Sequence, residues 1–367
     1  MPKRVGYLYE KMLDKDLIRR VIISGSKGKR KRSDVKKVLS DIDYYVDRIY
    51  EMVRDISYGP TTPRPVVIRD KSSGKIRIIG VVPYFPDGIM HRLVTEVIRP
   101  VLMRGMYAHS CASIPGRGNM HAINYVKRAL NDVRGSTYCA KLDIHHYYPS
   151  LKPIRIVDAL SRKIKDGKIL AIIYAILNSN TQQGITIGFY INQWLANFYL
   201  EPLDHMITSL PGVKYYVRNM DDMILIGPNK RKLHQAIDRI SEKLKEMDLR
   251  LKDNWQVFKI DSRGVDFVGY RFFHNYTLLR RRNFLKMTRH CRRAKKIFDD
   301  GDSVSFHSAS GLVSRSGQLK HCSGFSIRKK YYDPIGLGRL KHIIRSTSLY
   351  KNFLMLIAGA TADWRTT

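Results

Sequence analysis

The sequence predicts an α+β fold, in which an antiparallel sheet is flanked by helices and followed by a helical C-terminal segment. Runs of β-branched and aromatic residues, interrupted by turn-forming residues, predict hairpins at residues 66–80 and 214–227 and a strand at 138–144. Apolar residues at helical spacing fill much of the chain between them. With 367 residues, of which 44% are hydrophobic, the chain is long enough to bury a core divided into two or three subdomains.

The chain is strongly basic, with 66 lysines and arginines against 32 acidic residues and a formal net charge of +34. A folded protein tolerates such self-repulsion best when a polyanion neutralises it, so nucleic acid is the first expected partner. An anionic membrane surface is a weaker alternative, because no basic amphipathic helix or lipidation motif accompanies the charge.

The four cysteines lie far apart and form no CxxC pair: Cys111, Cys139, Cys291 and Cys322. This spacing argues against a zinc ribbon or a disulfide framework and fits a reducing compartment. His290-Cys291 and His321-Cys322 could share a metal, although packing is the favoured interpretation. The longest apolar run, residues 169–177, is too short to cross a bilayer, and residues 1–4 lead into no signal segment. We therefore expect a cytoplasmic protein that does not enter the membrane.

Residues 1–60 predict helices on either side of a basic link. Apolar residues recur at helical spacing from Leu13 to Val21 and from Val38 to Val53, which we interpret as one helix before the link and one after it. The link at residues 25–32 contains five cations in eight residues. Contact with phosphate groups is at least as well supported there as a solvated loop.

The hairpin at residues 66–80 is closed by Ser-Ser-Gly and carries Lys75 and Arg77 on one face. Cations on a rigid hairpin suit a triphosphate, but an ordinary exposed strand face explains them about as well. A helix at 89–102 and a loop rich in small residues at 113–119 follow. Such a loop lets the backbone pass close to a ligand, and turn chemistry alone explains it nearly as well.

Two adjacent carboxylates, Asp221 and Asp222, lie at the predicted tip of the hairpin at 214–227. Aspartate also favours turns, so this pair alone does not establish a site. The strand at 138–144 supplies a third carboxylate, Asp143, and the aromatic residues Tyr147 and Tyr148 follow it. Three aspartates on neighbouring strands can hold two Mg²⁺ ions about 4 Å apart, the arrangement used for phosphoryl transfer at a polynucleotide end.

The remaining segments extend this alternation of helices and strands. Helices are predicted at 154–160 and 168–177, and residues 183–200 begin with two glycines and end in an apolar helix. A further amphipathic helix at 233–247 would cover the sheet, and strands are predicted near 249–251 and 256–260. From Leu279 onward the chain is helical in character and very basic.

In this order, the segments from about residue 60 to residue 345 resemble those of reverse transcriptases, and most closely the diversity-generating retroelement type. Asp143 followed by Tyr148 resembles the first catalytic motif, and Met220-Asp221-Asp222 resembles the second. The resemblance implies the right-hand polymerase fold. It divides the chain into a basic helical extension at 1–60, fingers at 61–135, a palm at 136–270 with finger helices inserted at about 151–180, and a basic helical thumb at 271–367.

The resemblance also implies roles for individual residues. Asp143, Asp221 and Asp222 would be the catalytic carboxylates and, with the backbone carbonyl of Ile144, the ligands of two Mg²⁺ ions, for which Mn²⁺ could substitute. Lys75, Arg77 and Gln193 would bind the incoming nucleotide, and the ring of Tyr148 would exclude a 2′-hydroxyl. Contacts with the template or primer would come from six positions: Gly184, Gly188, Asn219, Met220, Gly269 and Tyr270.

The segment around Gly184-Ile185-Thr186-Ile187-Gly188 carries the resemblance to the retroelement subfamily. Together with Asn192-Gln193 and Leu195-Ala196-Asn197, it is similar to the IGxxxSQxxAN pattern of that subfamily, whereas most reverse transcriptases have QGxxxSP. Glutamine in place of proline alters the surface beside the templating base. In that subfamily the region is tied to poor copying of template adenines.

Three positions depart from the family pattern. Asn219 replaces the tyrosine that precedes Met-Asp-Asp and packs near the primer end, which leaves primer handling open. Asn192 replaces the expected serine. Trp255 lies where many polymerases have a lysine that protonates the leaving pyrophosphate, so Lys252 is the substitute general acid that we consider.

The predicted function is RNA-directed DNA synthesis, in a diversity-generating retroelement. Its expected partners are an RNA template, a DNA or RNA primer, the RNA–DNA heteroduplex, dNTPs and a small basic accessory protein. One alternative is an anti-phage defence or retron-like reverse transcriptase with a dedicated noncoding RNA or unusual priming, which Asn219 keeps open. Another, of a different class, is a non-catalytic, maturase-like RNA-binding protein, and the presence of all three aspartates argues against it.

Overall fold

The computed structural model describes residues 4–69, 74, 76–180 and 183–347. They form two compact units. The first comprises the residues up to Tyr125 together with Arg134–Phe258, and the second comprises Val126–Val133 together with the residues from Lys259 onward. The division into fingers, palm and thumb at residues 60, 135 and 270 stays a prediction.

Helices and antiparallel sheets alternate along the chain, so the predicted α+β class is confirmed. The helices are α1 (Lys15–Ser26), α2 (Ser33–Ser40), α3 (Ile42–Arg54), α4 (Ile89–Met103), α5 (Asn119–Asn131), α6 (Tyr147–Ser150), α7 (Pro153–Ser161), α8 (Gly167–Asn178), α9 (Tyr190–Tyr199), α10 (Glu201–Ser209), α11 (Lys230–Glu246), α12 (Ile260–Arg263), α13 (Arg281–Asp299), α14 (Phe306–Gln318) and α15 (Phe325–Tyr331). The strands are β1 (Arg64–Arg69), β2 (Ile76–Val81), β3 (Tyr138–Asp143), β4 (Tyr215–Asn219), β5 (Asp222–Gly227), β6 (Gln256–Lys259), β7 (Val265–Phe267), β8 (Tyr270–Phe272) and β9 (Thr277–Leu279).

The N-terminal helices differ in one respect from the prediction. The single helix expected after the basic link is two helices, α2 and α3, separated at Asp41. Asp41 has non-helical backbone angles, and its carboxylate accepts a hydrogen bond from the N–H of Tyr44 at 3.2 Å, which caps α3. The apolar periodicity continues across this break because Val38 and Val46 are both buried in the same core.

The central sheet of the first unit has the strand order β4-β5-β3-β6. Strand β5 pairs antiparallel with both β3 and β4, and its residues from Met223 to Gly227 are buried. Helix α11 packs on β3 and β5 through the apolar residues Leu233, Ile237, Ile240 and Leu244, as its amphipathic pattern predicts. The sheet therefore holds the ends of β3 and β5 on a rigid, covered layer.

Two strand predictions were wrong or incomplete. Residues 249–251 do not form a strand, because only Leu251 bridges to the sheet, opposite Ile144. The second unit contains a three-stranded antiparallel sheet, β7-β8-β9, where no strand was predicted; it ends at Leu279, from which the chain was predicted to be helical. Each of its strands has only three residues, so the alternating pattern is too short to be recognised.

The hairpin predicted at residues 66–80 is confirmed as the pair β1 and β2, with Val67 opposite Ile78. No helix in the described ranges is long and apolar enough to span a membrane. All four cysteines are free thiols.

Replacing Gly227 by alanine should destabilise the first unit. Gly227 ends β5, and a Cβ added there would lie 2.0 Å from the carbonyl oxygen of Gly212, a backbone atom that cannot rotate away. We expect a loss of about 1 to 3 kcal/mol in the free energy of unfolding, measured by urea denaturation. Gly59→Ala is the matched control, since nothing lies within 4 Å of an added Cβ there. Equal stability of the two variants would contradict this packing.

Candidate active site

Two of the three predicted catalytic aspartates lie opposite each other on adjacent strands of the central sheet. Asp143 is the last residue of β3, and it is the register partner of Asp222, the first residue of β5. Asn219, at the end of β4, pairs with Asp222 on the other side. The sheet thus places one carboxylate on each of two neighbouring strands, as the sequence predicts.

The third aspartate lies in the turn between β4 and β5. Met220 begins this turn with a φ of 61°, a left-handed conformation that costs energy for a residue with a side chain. The carbonyl of Asp221 accepts a hydrogen bond from the N–H of Ile144 at 3.2 Å, which ties the turn to the end of β3. The backbones of Asp143, Asp221 and Asp222 are therefore held at the same end of the sheet.

The electrostatics of this edge are those of crowded negative charges. Burial and the nearby charge of Asp143 raise the pKa of Asp221, while the positive charges of Lys252 and Arg77 oppose the rise. The ammonium group of Lys252 contacts Asp143 Oδ1 directly. Its backbone N–H also donates to the carbonyl of Asp143 at 2.8 Å. The predicted general acid, Lys252, thus lies at the site.

The chemistry of these side chains fits divalent cations. Carboxylate oxygens are the hard ligands that Mg²⁺ prefers. Burial and, after it, the charge of Asp143 raise the pKa of Asp221, and a bound cation would lower it. Across the described residues, however, no group of three or more His, Cys, Asp or Glu side chains is already arranged to hold a metal ion. The two His-Cys dipeptides, His290-Cys291 and His321-Cys322, therefore form no such group either. The site for two metal ions at the aspartates stays a prediction.

A buried ion pair below the turn fixes its shape. Arg218 of β4 and Asp204 of α10 both have fully buried side chains and form a salt bridge, with Arg218 Nε donating to Asp204 Oδ1 at 2.7 Å. Burial works against the charged guanidinium, but the neighbouring Asp204 carboxylate outweighs it and raises the pKa of Arg218. Tyr216 donates its hydroxyl hydrogen to the same carboxylate at 2.7 Å.

The guanidinium of Arg218 also reaches the catalytic turn itself. Its Nη1 donates to the carbonyl oxygen of Met220 at 3.0 Å and to Asn197 Oδ1 at 3.1 Å. Arg218 therefore connects the strained residue of the turn to helices α9 and α10. A charged residue in an otherwise apolar strand was the signal that could have identified it, because buried charges are nearly always paired.

Tyr148, the predicted gate against ribonucleotides, lies close to the turn. It belongs to α6, and its hydroxyl contacts the sulfur of Met220 at 3.7 Å. Burial and the negative charge of Asp221 raise its pKa. The carbonyl of Tyr148 accepts a hydrogen bond from the N–H of Ile185 at 3.0 Å. The uncharged Tyr148 side chain thus lies beside the turn that carries Asp221.

The two predicted template-contacting glycines permit close approaches between backbone segments. Gly184 has a φ of 77°, and an added Cβ would lie 2.4 Å from the carbonyl oxygen of Pro149 beside Tyr148. Gly188 has a φ of 119°, and an added Cβ would lie 2.5 Å from the carbonyl oxygen of Gly80 in β2. Both glycines therefore have a packing role, and their contact with template or primer stays a prediction.

The remaining predicted nucleotide-binding residues occupy different settings. Arg77 is exposed on β2 and acts electrostatically on Asp221, whereas Lys75 lies outside the described residues. Gln193 is partly buried in α9, and its carbonyl accepts from Asn197 Nδ2 at 3.1 Å. Their roles in nucleotide binding stay predictions.

Gly269 and Tyr270, predicted to contact the primer, belong to the second unit. Gly269 has a φ of 93°, and its carbonyl accepts from the N–H of Arg280 at 3.0 Å. Tyr270 begins β8 and donates its hydroxyl hydrogen to the carbonyl of Gln318 at 3.0 Å. These bonds order the hairpin within its own unit, and the primer contact stays a prediction.

Comparison with known families assigns this site to an enzyme class. Residues 68–272 match the family described as reverse transcriptase (RNA-dependent DNA polymerase). The chain belongs to the reverse transcriptase family. The match includes all three aspartates, Tyr148 and the segment from Gly184 to Gln193, and with the antiparallel sheet it identifies the fold as the predicted right-hand polymerase fold.

The chain matches only part of the length of each of its curated relatives. The chain is 26% identical over 217 residues to the group II intron-encoded protein LtrA of Lactococcus lactis subsp. cremoris, covering 55% of this chain and 34% of that protein. It is 26% identical over 179 residues to an uncharacterized 91 kDa protein in the cob intron of Schizosaccharomyces pombe, covering 45% of this chain and 21% of that protein. The chain thus spans about a third or less of these relatives.

Among solved structures, telomerase from Candida tropicalis in complex with a fragment of telomeric RNA has a TM-score of 0.49 and 13% identity. The structural alignment covers 74% of this chain and 55% of the telomerase chain.

Removing the buried guanidinium should strongly destabilise the first unit. Arg218→Met leaves Asp204 as a buried charge without its partner, which we expect to lower the free energy of unfolding by about 3 to 5 kcal/mol. Adding Asp204→Asn to that variant should recover part of the loss, because it removes the charge while keeping an acceptor for Tyr216. Urea denaturation measures both changes. Arg239→Met, at an exposed ion pair, is the matched control. A loss as small as that of the control would contradict the importance of the pair.

Proposed function

We propose that the protein is an RNA-directed DNA polymerase that copies an RNA template into cDNA. The observation that carries the proposal is the position of Asp143, Asp221 and Asp222 at the same end of the central sheet, in a chain of the reverse transcriptase family. In the reaction, a primer 3′-hydroxyl attacks the α-phosphorus of a dNTP in line, and pyrophosphate leaves.

The protein's residues would divide the work as follows. The three aspartates, with the carbonyl of Ile144, would hold two Mg²⁺ or Mn²⁺ ions. When bound, such ions polarise the attacking hydroxyl and neutralise the charge of the triphosphate. Arg77 would bind the triphosphate, and Lys252 would donate a proton to the leaving pyrophosphate from its position beside Asp143.

Tyr148 would act as the gate that selects deoxynucleotides. Its backbone is fixed by the hydrogen bond from the N–H of Ile185, and its hydroxyl contacts the sulfur of Met220. A ring fixed in this way excludes a 2′-hydroxyl by volume, without a hydrogen bond of its own to the sugar.

The expected partners follow from charge and from the reaction. An RNA template, a primer and their heteroduplex would be held by phosphate contacts with the basic surface, for which A-form shape matters more than sequence. A small basic accessory protein would be a further partner.

Replacing Asp221 by asparagine should abolish dNTP incorporation and leave RNA binding intact. The change keeps the shape of the side chain and removes a negative charge from the site, which we expect to lower the rate by about a thousandfold, or about 4 kcal/mol in the barrier. Primer extension on an RNA template measures the rate, and filter binding measures affinity for RNA. Asp253→Asn, an exposed aspartate next to Lys252, is the matched control. Undiminished synthesis by Asp221→Asn would refute the proposal.

We further propose that the enzyme belongs to a diversity-generating retroelement. The support is the pattern from Gly184 to Asn197, in which Gln193 takes the place of a family proline. The second candidate is a defence or retron-like enzyme that primes synthesis from a dedicated noncoding RNA, and the observation that favours it is Asn219 beside the catalytic aspartates.

The cDNA sequence should separate these two roles. A retroelement enzyme is expected to misincorporate mainly opposite template adenines, because Gln193 alters the surface next to the templating base. Sequencing of cDNA made by the purified protein on a template with equal base composition measures this bias. Accurate copying of adenines, or DNA covalently linked to one cellular RNA, would favour the defence role.

A further inference from the structure

A small basic pocket lies in the first unit, and none of the three carboxylates lines it. It has a volume of about 170 Å³ and is lined by the basic link, the end of β2 with the segment that follows it, the start of α4 and the segment that leads into α9. The side chains that matter most are Lys29, Arg32, Tyr84, His91, Arg92 and Tyr190. Three of them are cations and none is acidic.

The cations of this pocket are not neutralised equally. Arg32 pairs with Asp34 through Nε and Oδ1 at 3.0 Å, so its charge is already compensated. Within the described part of the chain, Lys29 and Arg92 form no ion pair. Loss of contact with water lowers the pKa of Lys29, and so do the positive charges of Arg92 and Arg32. The charge of Asp34 opposes this shift, but that carboxylate is already paired with Arg32. Two cations without an ion pair of their own are thus held close together.

The position of Arg92 is built into the fold. Its guanidinium lies over the ring of Tyr190, 4.2 Å from the ring centre, which orients it. A Cβ on Gly25 of α1 would lie 2.8 Å from Arg92 Cδ, so the glycine leaves room for this side chain. A surface arginine that merely points into solvent needs neither contact.

A buried imidazole completes the pocket. His91 is only 2% exposed, and its Nε2 has no hydrogen-bond partner among the described residues. Burial lowers its pKa to about 4, although the charge of Asp87 opposes the shift. At neutral pH the ring is therefore uncharged, and its Nε2–H tautomer can donate one hydrogen bond. An orphaned buried donor of this kind costs energy unless a ligand or water accepts from it.

We propose that this pocket binds a phosphate group, with Lys29 and Arg92 supplying charge and His91 Nε2 donating a hydrogen bond. The volume suits a phosphate and its linked oxygens, and the remainder of a nucleic-acid strand would lie outside it. An acidic peptide would bring carboxylates on flexible chains and would not need the buried donor. The group comes either from an RNA backbone or from a free phosphate compound.

The test compares two double variants of the full chain. Lys29→Gln with Arg92→Gln removes the two cations of the pocket that form no ion pair among the described residues. Arg30→Gln with Lys31→Gln removes the same number of charges, from exposed residues of the basic link that do not line the pocket. Each variant is titrated with single-stranded RNA at several salt concentrations, with inorganic phosphate, and with a poly-glutamate peptide.

We expect the pocket variant to bind RNA about tenfold more weakly than the control variant and to lose about 0.7 from the slope of affinity against salt, as for one phosphate contact. If the pocket variant alone also loses saturable binding of inorganic phosphate, a free phosphate suffices as ligand. If only RNA binding depends on the pocket, the ligand is a strand phosphate. Equal RNA affinities of the two variants without phosphate binding, or poly-glutamate binding that depends on the pocket, would overturn the proposal.

A separate measurement tests the histidine without any substitution that could unfold the protein. In protein labelled with ¹⁵N-histidine, the ring resonance of His91 should shift when RNA or inorganic phosphate saturates the pocket. An unchanged His91 signal at saturation would exclude its hydrogen bond. None of these measurements requires nucleotide incorporation, and all can be repeated on Asp221→Asn, so their failure is distinct from failure of the proposed polymerase function.

Discussion

The buried pair of Arg218 and Asp204 is the constraint on which the catalytic turn depends. Two charges removed from water cost several kcal/mol each, and their attraction repays this only when the remaining hydrogen bonds are satisfied. Here Asp204 accepts from Arg218 and Tyr216, while Arg218 also donates to Asn197 and to the Met220 carbonyl. An apolar pair could fill the same space. It could not hold the Met220 carbonyl, and this bond keeps the turn in its strained conformation.

The fixed turn places two negative charges close together, and nearby cations partly compensate them. Asp221 is brought beside Asp143, and burial together with that second charge raises the pKa of Asp221. Lys252 and Arg77 act in the opposite direction from two different elements, the residue after the Leu251 bridge and strand β2. The negative edge is therefore confined to a few atoms in a chain with a net charge of +34, which suits cations in the site and a polyanion around it.

The sequence predicted the parts of this site that depend on local pattern. The hairpin with Asp221 and Asp222, the strand ending in Asp143 and the amphipathic α11 all follow from the spacing of apolar residues. It did not predict Asp41 as a break between α2 and α3, because the core continues across the break. Nor did it predict the partner of Arg218, which comes from a helix and is defined only by tertiary packing. The short strands β7 to β9 lack the length that alternation needs.

The segment from Gly184 to Tyr190 connects what the sequence presented as separate features. Ile185 bonds to the carbonyl of Tyr148, and the carbonyl of Ile187 accepts from the N–H of Gly80 at 2.8 Å. One stretch of chain therefore sets the position of the gate and of the hairpin that bears Arg77. Asn192, one departure from the family pattern, has a physical reason here, because its amide donates to the Thr186 carbonyl at 2.9 Å inside this segment. The departure at Asn219 differs, since this half-buried residue ends β4 as the register partner of Asp222, directly beside the carboxylates.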